Sequence, residues 1–496
     1  MSVNRMVMVD IPGTSLDLET RAHLIRYKPG GVILFRKNIV DRNQTRALIE
    51  DLKSILGDDL LLAIDAEGGG VWRTTDLPNA PSAMSLGASN DLNLTREIGA
   101  LVARGLRSMG INWNFAPVLD LNNNPFNPVI SDRSFGEHPK RVTELALAWA
   151  EGLMREGVAA CGKHFPGHGS TKLDSHLSLP TVSQNLEGLE EYELVPFRAS
   201  VSYLPSIMTA HIIYPSIDPD LPATLSKKIL TGLLRERGQF EGVIVTDSMG
   251  MHAIDKNWGR GEAAVMSVNA GSDMVEALGS REVQAQTIEA LENAEKNGAI
   301  SSERIEASLE RLHNLATRFP IAPKDYAIEL EVADRELASV AWGAGITEFG
   351  EVKLPKPGSS ITLIAPDVAP EENVSEVGVA GEKLVALLSS LYSVKAILHS
   401  AREPLSVLSQ VKAARDAKEF IVYATTSRHR MTEAGRELAR VAQPDLHLTL
   451  WNAYTVADVP APALVTYGYR IEALTALMRV LRGETRASGV APVKLG

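Results

Sequence analysis

A single cysteine, Cys161, stands in 496 residues, which excludes an internal disulfide framework and fits a reducing compartment. No stretch approaches the roughly 20 apolar residues of a membrane-spanning helix, so a membrane is not an expected partner. Basic residues are in the minority. Fifty Lys and Arg against 61 Asp and Glu give a formal net charge of -11, which argues against phosphate-backbone recognition and hence against nucleic acid. The opening MSVNRMVMVDIPGTSL has no long apolar run ahead of Asp10 and Pro12, so it does not read as a signal peptide, and a cytoplasmic protein is expected. Short-period repeats are absent too. The glycines of DAEGGGVWR lack the Lys-Ser/Thr ending of a phosphate loop, and no Gly-rich dinucleotide fingerprint opens a helix in the second half. No organic cofactor is therefore expected.

What is present is alternation. Eight short apolar runs, MVMVDI, GGVILF, LLLAIDAE, NWNFAPVLDL, AACGKHF, SIMTAHII, GVIVTDSM and SDMVEAL, are separated by segments with apolar residues at three- and four-residue spacing. Eight strand-helix units predict a (β/α)8 barrel over residues 1–320. The runs begin apolar and end in charge: Asp10, Asp65 with Glu67, Asp120, Lys163 with His164, His211, Asp247 and Glu276. In a barrel such ends converge on one mouth, where an active site sits. Residues 321–355, punctuated by Pro and Gly, read as a linker. From 356 to 496 five further runs alternate with helices, which predicts a smaller layered α/β sandwich domain.

The stretch GKHFPGHGSTKLDSHLSLP, residues 162–180, holds His164, His168 and His176 beside Lys163, Lys172 and Asp174. His164 and His168 are four apart, yet Pro166 and Gly167 between them make the helix that would aim both at one metal improbable, and no metal site is expected. The segment reads as a loop at the rim after the fifth strand. In it Asp174 and His176 are two apart, and if both side chains turn the same way the carboxylate can hold the imidazole's tautomer and raise its basicity. Asp247, ending the seventh strand, could be a nucleophile, a metal ligand or a helix cap.

The blocks KHFPGHG, DSH, DRSFG (132–136), IDAEGG (64–69) and VIVTDSMGM (243–251) together resemble glycoside hydrolase family 3, and within it the β-N-acetylglucosaminidases of cell-wall recycling. The resemblance implies that Asp247 is the nucleophile of a covalent glycosyl-enzyme, and that His176, oriented by Asp174, is the general acid and then base. A sugar would be bound by Asp65, Arg73, Arg133, Lys163 and His164, with no cofactor and no obligate protein partner. Family members often carry an arginine where Gly70 stands. His168 and His211 are expected to pack loops. The implied activity is retaining exo-β-N-acetylglucosaminidase action on cell-wall fragments, an oligosaccharide substrate. Within the family a β-glucosidase or a phosphorylase remains open, as do a non-catalytic sugar-binding protein and a metal-dependent hydrolase outside it.

Overall fold

The eight expected strands are all present: β1 Val7–Asp10, β2 Gly31–Leu34, β3 Leu61–Ile64, β4 Trp113–Asn114, β5 Ala159–Phe165, β6 Ser206–Thr209, β7 Val243–Val245 and β8 Val275–Glu276. The computed structural model describes residues 2–171, 179–369 and 375–495. Each strand pairs in parallel with its neighbour in chain order, and β8 returns to β1. A bridge from Val245 to Met274, with Thr246 N donating to the Met274 oxygen at 3.0 Å, closes β7 onto β8 and completes the barrel. All residues of β1, β2 and β3 are buried, as parallel strands covered on both faces require.

The crossover helices follow from local chemistry. Asp41 and Asp91 accept backbone N–H groups at the starts of Arg42–Leu56 and Leu92–Met109, satisfying donors that a helix leaves unpaired. Leu48, Ile49, Leu52 and Leu56 then fall on the buried face of the first. Leu92–Met109 and Pro139–Arg155 approach so closely that a Cβ on Gly99 would collide with the Trp149 carbonyl, and one on Gly152 with that of Arg96.

A second sheet follows, with β9 Thr347–Phe349, β10 Ser360–Pro366, β11 Ser393–His399, β12 Ile421–Thr425, β13 Leu446–Thr449 and β14 Ala463–Val465 in the order β9-β14-β13-β12-β10-β11. Only β9 runs antiparallel. Side chains alternate between its faces. Leu363 and Val422 meet helices Gly381–Leu388 and Ile471–Leu481 on one side, while Ile364 and Tyr423 meet Leu408–Asp416 and Glu433–Ala442 on the other. The expected linker needs correction here: residues 321–355 contain the helix Ile328–Gly345 and β9, an edge strand of the second sheet. The helix is held by Ala338, Ala341, Trp342 and Gly345, which are buried, and the Trp342 indole donates to the Asn79 carbonyl at 3.2 Å.

The carboxyl edge of the second sheet lies against the barrel mouth. Its loops supply Glu376, Arg428, Trp451, Tyr454 and Arg470, which bond to Arg73, Val129, Asp132, Asn122 and Trp72 respectively. Among the described residues no helix is long and apolar enough to cross a membrane.

Candidate active site

The turn after β3 is fixed before any charge is considered. The Asn114 side chain, at the end of β4, accepts from Ala66 N and donates to Ala66 O, both at 2.9 Å, so Asp65 and Glu67 flank a pinned residue. Lys163, on β5, reaches across to them, its Nζ 2.6 Å from Asp65 Oδ1 and 2.6 Å from Glu67 Oε1. Arg133 meets Glu67 as a fork, Nε to Oε2 and Nη2 to Oε1 at 2.8 Å each. Lys163 and Arg133 are 2% and 6% exposed, so these charges compensate one another in place of water. Burial would raise the Glu67 carboxyl, but Arg133 and Lys163 outweigh it and hold the group well below the usual carboxylate range. Burial likewise lowers Lys163, and the two carboxylates outweigh it and leave the ammonium above its ordinary value.

A second pair lies beside the first. His164 Nδ1 is 2.7 Å from Asp120 Oδ2, and Asp120 also accepts the backbone N–H of His164 and of His168. Despite its burial, which acts upward, the Asp120 carboxyl is held below its ordinary value by His164. His164 Nε2 faces Arg133 Nη2 at 3.5 Å. His168 is pushed down to about 4 by burial, with His164 adding to the effect. It therefore stays a neutral ring whose Nδ1 bonds with Thr171 Oγ1 at 2.9 Å.

Asp247 stands two residues beyond β7, half-buried, its carboxylate accepting Ser248 N at 2.7 Å. It is not the cap of the next helix, His252–Asp255, whose N-cap is Met251. A cavity of about 570 Å³ opens at this mouth, lined by Asp65, Arg133, Lys163, His164, Asp247 and Glu276. The cavity also takes in Glu67, Arg73 and His168.

Six of the eight residues expected in the site thus border one space. Asp174 and His176 lie outside the described residues. His168, expected to pack its loop, is buried and does so, but it lines the cavity as well. His211 packs, its ring bonded to Thr224 Oγ1 at 2.8 Å and to the Ser248 oxygen at 3.0 Å. Glu67, Asp120 and Glu276 read in the sequence as polar strand ends and no more, and that strand-end position is the signal by which they could have been singled out.

The barrel does not build this mouth alone. Arg73 pairs with Glu376 at 2.8 Å. Asp132, next to Arg133, accepts the Trp451 indole N–H at 2.9 Å. At Gly70 a Cβ would stand 3.0 Å from the Tyr469 hydroxyl and 3.1 Å from Ser375 Oγ, so the second sheet occupies the space into which a side chain would project. Among the described residues no three His, Cys, Asp or Glu side chains group so as to hold a metal ion.

Comparison with known proteins fits this geometry. The model of the glycosyl hydrolase family 3 N terminal domain matches residues 2–315. A beta-hexosaminidase of Methylococcus capsulatus is 38% identical over 291 residues, covering 58% of this chain and 86% of that protein. Beta-hexosaminidase A of Pseudoalteromonas piscicida is 34% identical over 395 residues, 71% of this chain, which spans 65% of that relative's length. The solved family 3 beta-N-acetylglucosaminidase from Paenibacillus sp. str. FPU-7 superposes with a TM-score of 0.90 at 33% identity, covering 99% of this chain and 98% of its own. NagZ from Neisseria gonorrhoeae gives a TM-score of 0.58 at 30% identity, covering 68% of this chain and 98% of its own. Matched by the family model through its barrel and superposed on a solved member over nearly its whole length, the chain belongs to glycosyl hydrolase family 3, beside the β-hexosaminidases of that family.

Proposed function

We propose that this cavity removes terminal β-linked N-acetylglucosamine from oligosaccharides by a retaining mechanism. The observation that carries the reading is the convergence of Asp247 and Asp65 with the buried group of Glu67, Lys163, Arg133 and His164 in one cavity. The clamp fixes ring hydroxyls and the acetamido group. The Asp247 carboxylate then attacks C1, forming a glycosyl ester as the bond to the leaving oxygen breaks. His176, oriented by Asp174, donates the proton that the leaving oxygen needs, and afterwards takes one from the water that attacks the ester. Cell-wall fragments as substrate and a cytoplasmic setting belong to the same proposal. So does the division into a catalytic barrel and a smaller domain. All three rest on the sequence.

The test is hydrolysis of a chromogenic N-acetyl-β-glucosaminide beside the matching glucoside. A site whose buried donors are left unpaired by the analogue discriminates by roughly 10⁴ in favourable cases, so kcat/KM should favour the acetamido sugar strongly. Equal values would overturn the reading. Asp247→Asn should abolish turnover, and a 2-fluoro sugar with a good leaving group should label Asp247 in the wild type. A label on Asp65 or Asp120 would reassign the nucleophile. His176→Ala should slow cleavage of a disaccharide by about 10² to 10⁴-fold while sparing formation of the ester from a dinitrophenyl glycoside, which needs no acid. Adding inorganic phosphate to the same assays separates hydrolysis from phosphorolysis.

A further inference from the structure

The last barrel strand ends on a carboxyl group that the mechanism above does not use. Glu276 is 2% exposed, lines the same cavity as Asp65, Lys163 and Asp247, and its Oε1 has no hydrogen-bond partner among the described residues. Its backbone is tied on both sides. Glu276 N donates to Thr246 Oγ1 at 3.0 Å, and its carbonyl accepts Met249 N at 3.1 Å. The charged and titratable groups around the side chain are Asp247, Asp65, Asp10 and Lys163, with the Cys161 thiol also nearby. Lys163 is committed to Asp65 and Glu67, and Asp10 to Lys37 at 2.7 Å. For the fold alone this is a poor arrangement, because an orphaned buried polar atom is destabilising.

Burial, reinforced by Asp247 and Asp65, pushes the Glu276 carboxyl well above the ordinary range. The shift favours the neutral acid, which offers one O–H donor and one carbonyl acceptor. That pair of functions matches a sugar hydroxyl, which both donates and accepts. It does not match an anion, which would face Asp247 and Asp65 as well.

We propose that Glu276 is a further substrate-binding and specificity-determining residue, which holds one ring hydroxyl of the sugar seated against Asp65 and Asp247. The subsite at this edge therefore takes a neutral, hydroxylated sugar and rejects both its deoxy analogue and one bearing a carboxylate or phosphate there. This rests on the cavity being a sugar site.

The experiment measures kcat/KM for the p-nitrophenyl N-acetyl-β-glucosaminide and its 3-, 4- and 6-deoxy analogues in the wild type, Glu276→Gln and Glu276→Ala. Glutamine keeps a donor and an acceptor; alanine keeps neither. In the wild type and the glutamine variant, one deoxygenation should cost roughly 10-fold or more, and in the alanine variant the same one should cost less than about twofold. Penalties that are unchanged in Glu276→Ala would overturn the inference. If the alanine variant does not fold, the near-isosteric Glu276→Gln decides the matter by infrared difference spectroscopy. A protonated-carboxyl band present in the wild type and absent from Glu276→Gln should shift when N-acetylglucosamine fills the site. A band that does not move would overturn the inference. A wild type that cleaves none of these glycosides would defeat the function itself, an outcome distinct from either of those.

Discussion

Lys163 carries a charge in a place where lysine is almost never buried, and the cost is met by geometry, with two carboxylates at 2.6 Å and a guanidinium sharing one of them. Glu67 is the centre of that group, since it alone touches both cations. Glu67→Gln would strip Arg133 of its forked carboxylate partner and leave Lys163 with Asp65, which is itself only half-buried. Breaking a buried pair from one side typically costs about 3 to 5 kcal/mol, so urea denaturation should show a loss of that order, accompanied by a lower kcat/KM. A loss under about 1 kcal/mol would mean that water already screens the group. Asp65, Arg133, Lys163 and His164 were legible in the sequence because each lies in a block with a recognisable spacing. Glu67 shares the block of Asp65 yet drew no role, and Asp120 was visible only as a charge at a strand end. Which end faces which across a closed barrel is decided by strand order and tilt, and no spacing along the chain encodes that.

The loop after β5 is anchored on the side away from the clamp by Glu193. This residue is 1% exposed, it accepts the Ser170 hydroxyl, and Gly167, at a φ of 136°, packs against its side chain. Burial pushes its carboxyl up to about 7, from an ordinary value of 4.5. A raised carboxyl favours the folded state most when protonated. Its contribution is therefore fully present below about pH 4.5 and is lost as the pH rises through about 7, a fall of at most about 3 kcal/mol. Glu193→Gln should flatten that dependence and be the more stable form at roughly pH 8, as judged by urea midpoints measured at both ends. An unchanged slope would place the proton elsewhere. The barrel strands were legible as elements because doubly covered parallel strands are apolar throughout, which makes them short, dense runs. The helix Ile328–Gly345 was not. It begins IELEV, alternating with a period of two, with Ile328 77% and Val332 59% exposed. Asp334, Ala338, Ala341, Trp342 and Gly345 give it its buried face, and the groups that Trp342 and Gly345 meet, Asn79 and Ser85, are far away in sequence.

At the scale of the whole molecule, the question is what the second sheet does at the mouth of the barrel. NagZ of Neisseria gonorrhoeae is covered almost entirely by 68% of this chain, so that relative has no counterpart to the rest. Here the added sheet fills the space at Gly70, holds Asp132 through Trp451 and pairs Glu376 with Arg73. These contacts lie at the rim, and the mechanism proposed above gives none of them a bond-breaking step. Their loss should therefore weaken binding without slowing the chemical step, because an interaction made equally in ground and transition states acts on KM alone. Arg73 and Glu376 allow a clean test, since they meet at 2.8 Å with side-chain exposures of 13% and 20%. Arg73→Ala and Glu376→Ala should each raise KM several-fold and leave kcat and the melting temperature nearly unchanged. If Glu376 acts only by holding Arg73 over the cavity, the double variant will be no worse than Arg73→Ala, a coupling of about 1 kcal/mol in a double-mutant cycle. Additive effects would show that the two side chains serve separate ends. A fall in kcat with KM unchanged would instead place the second sheet within the chemistry of the barrel.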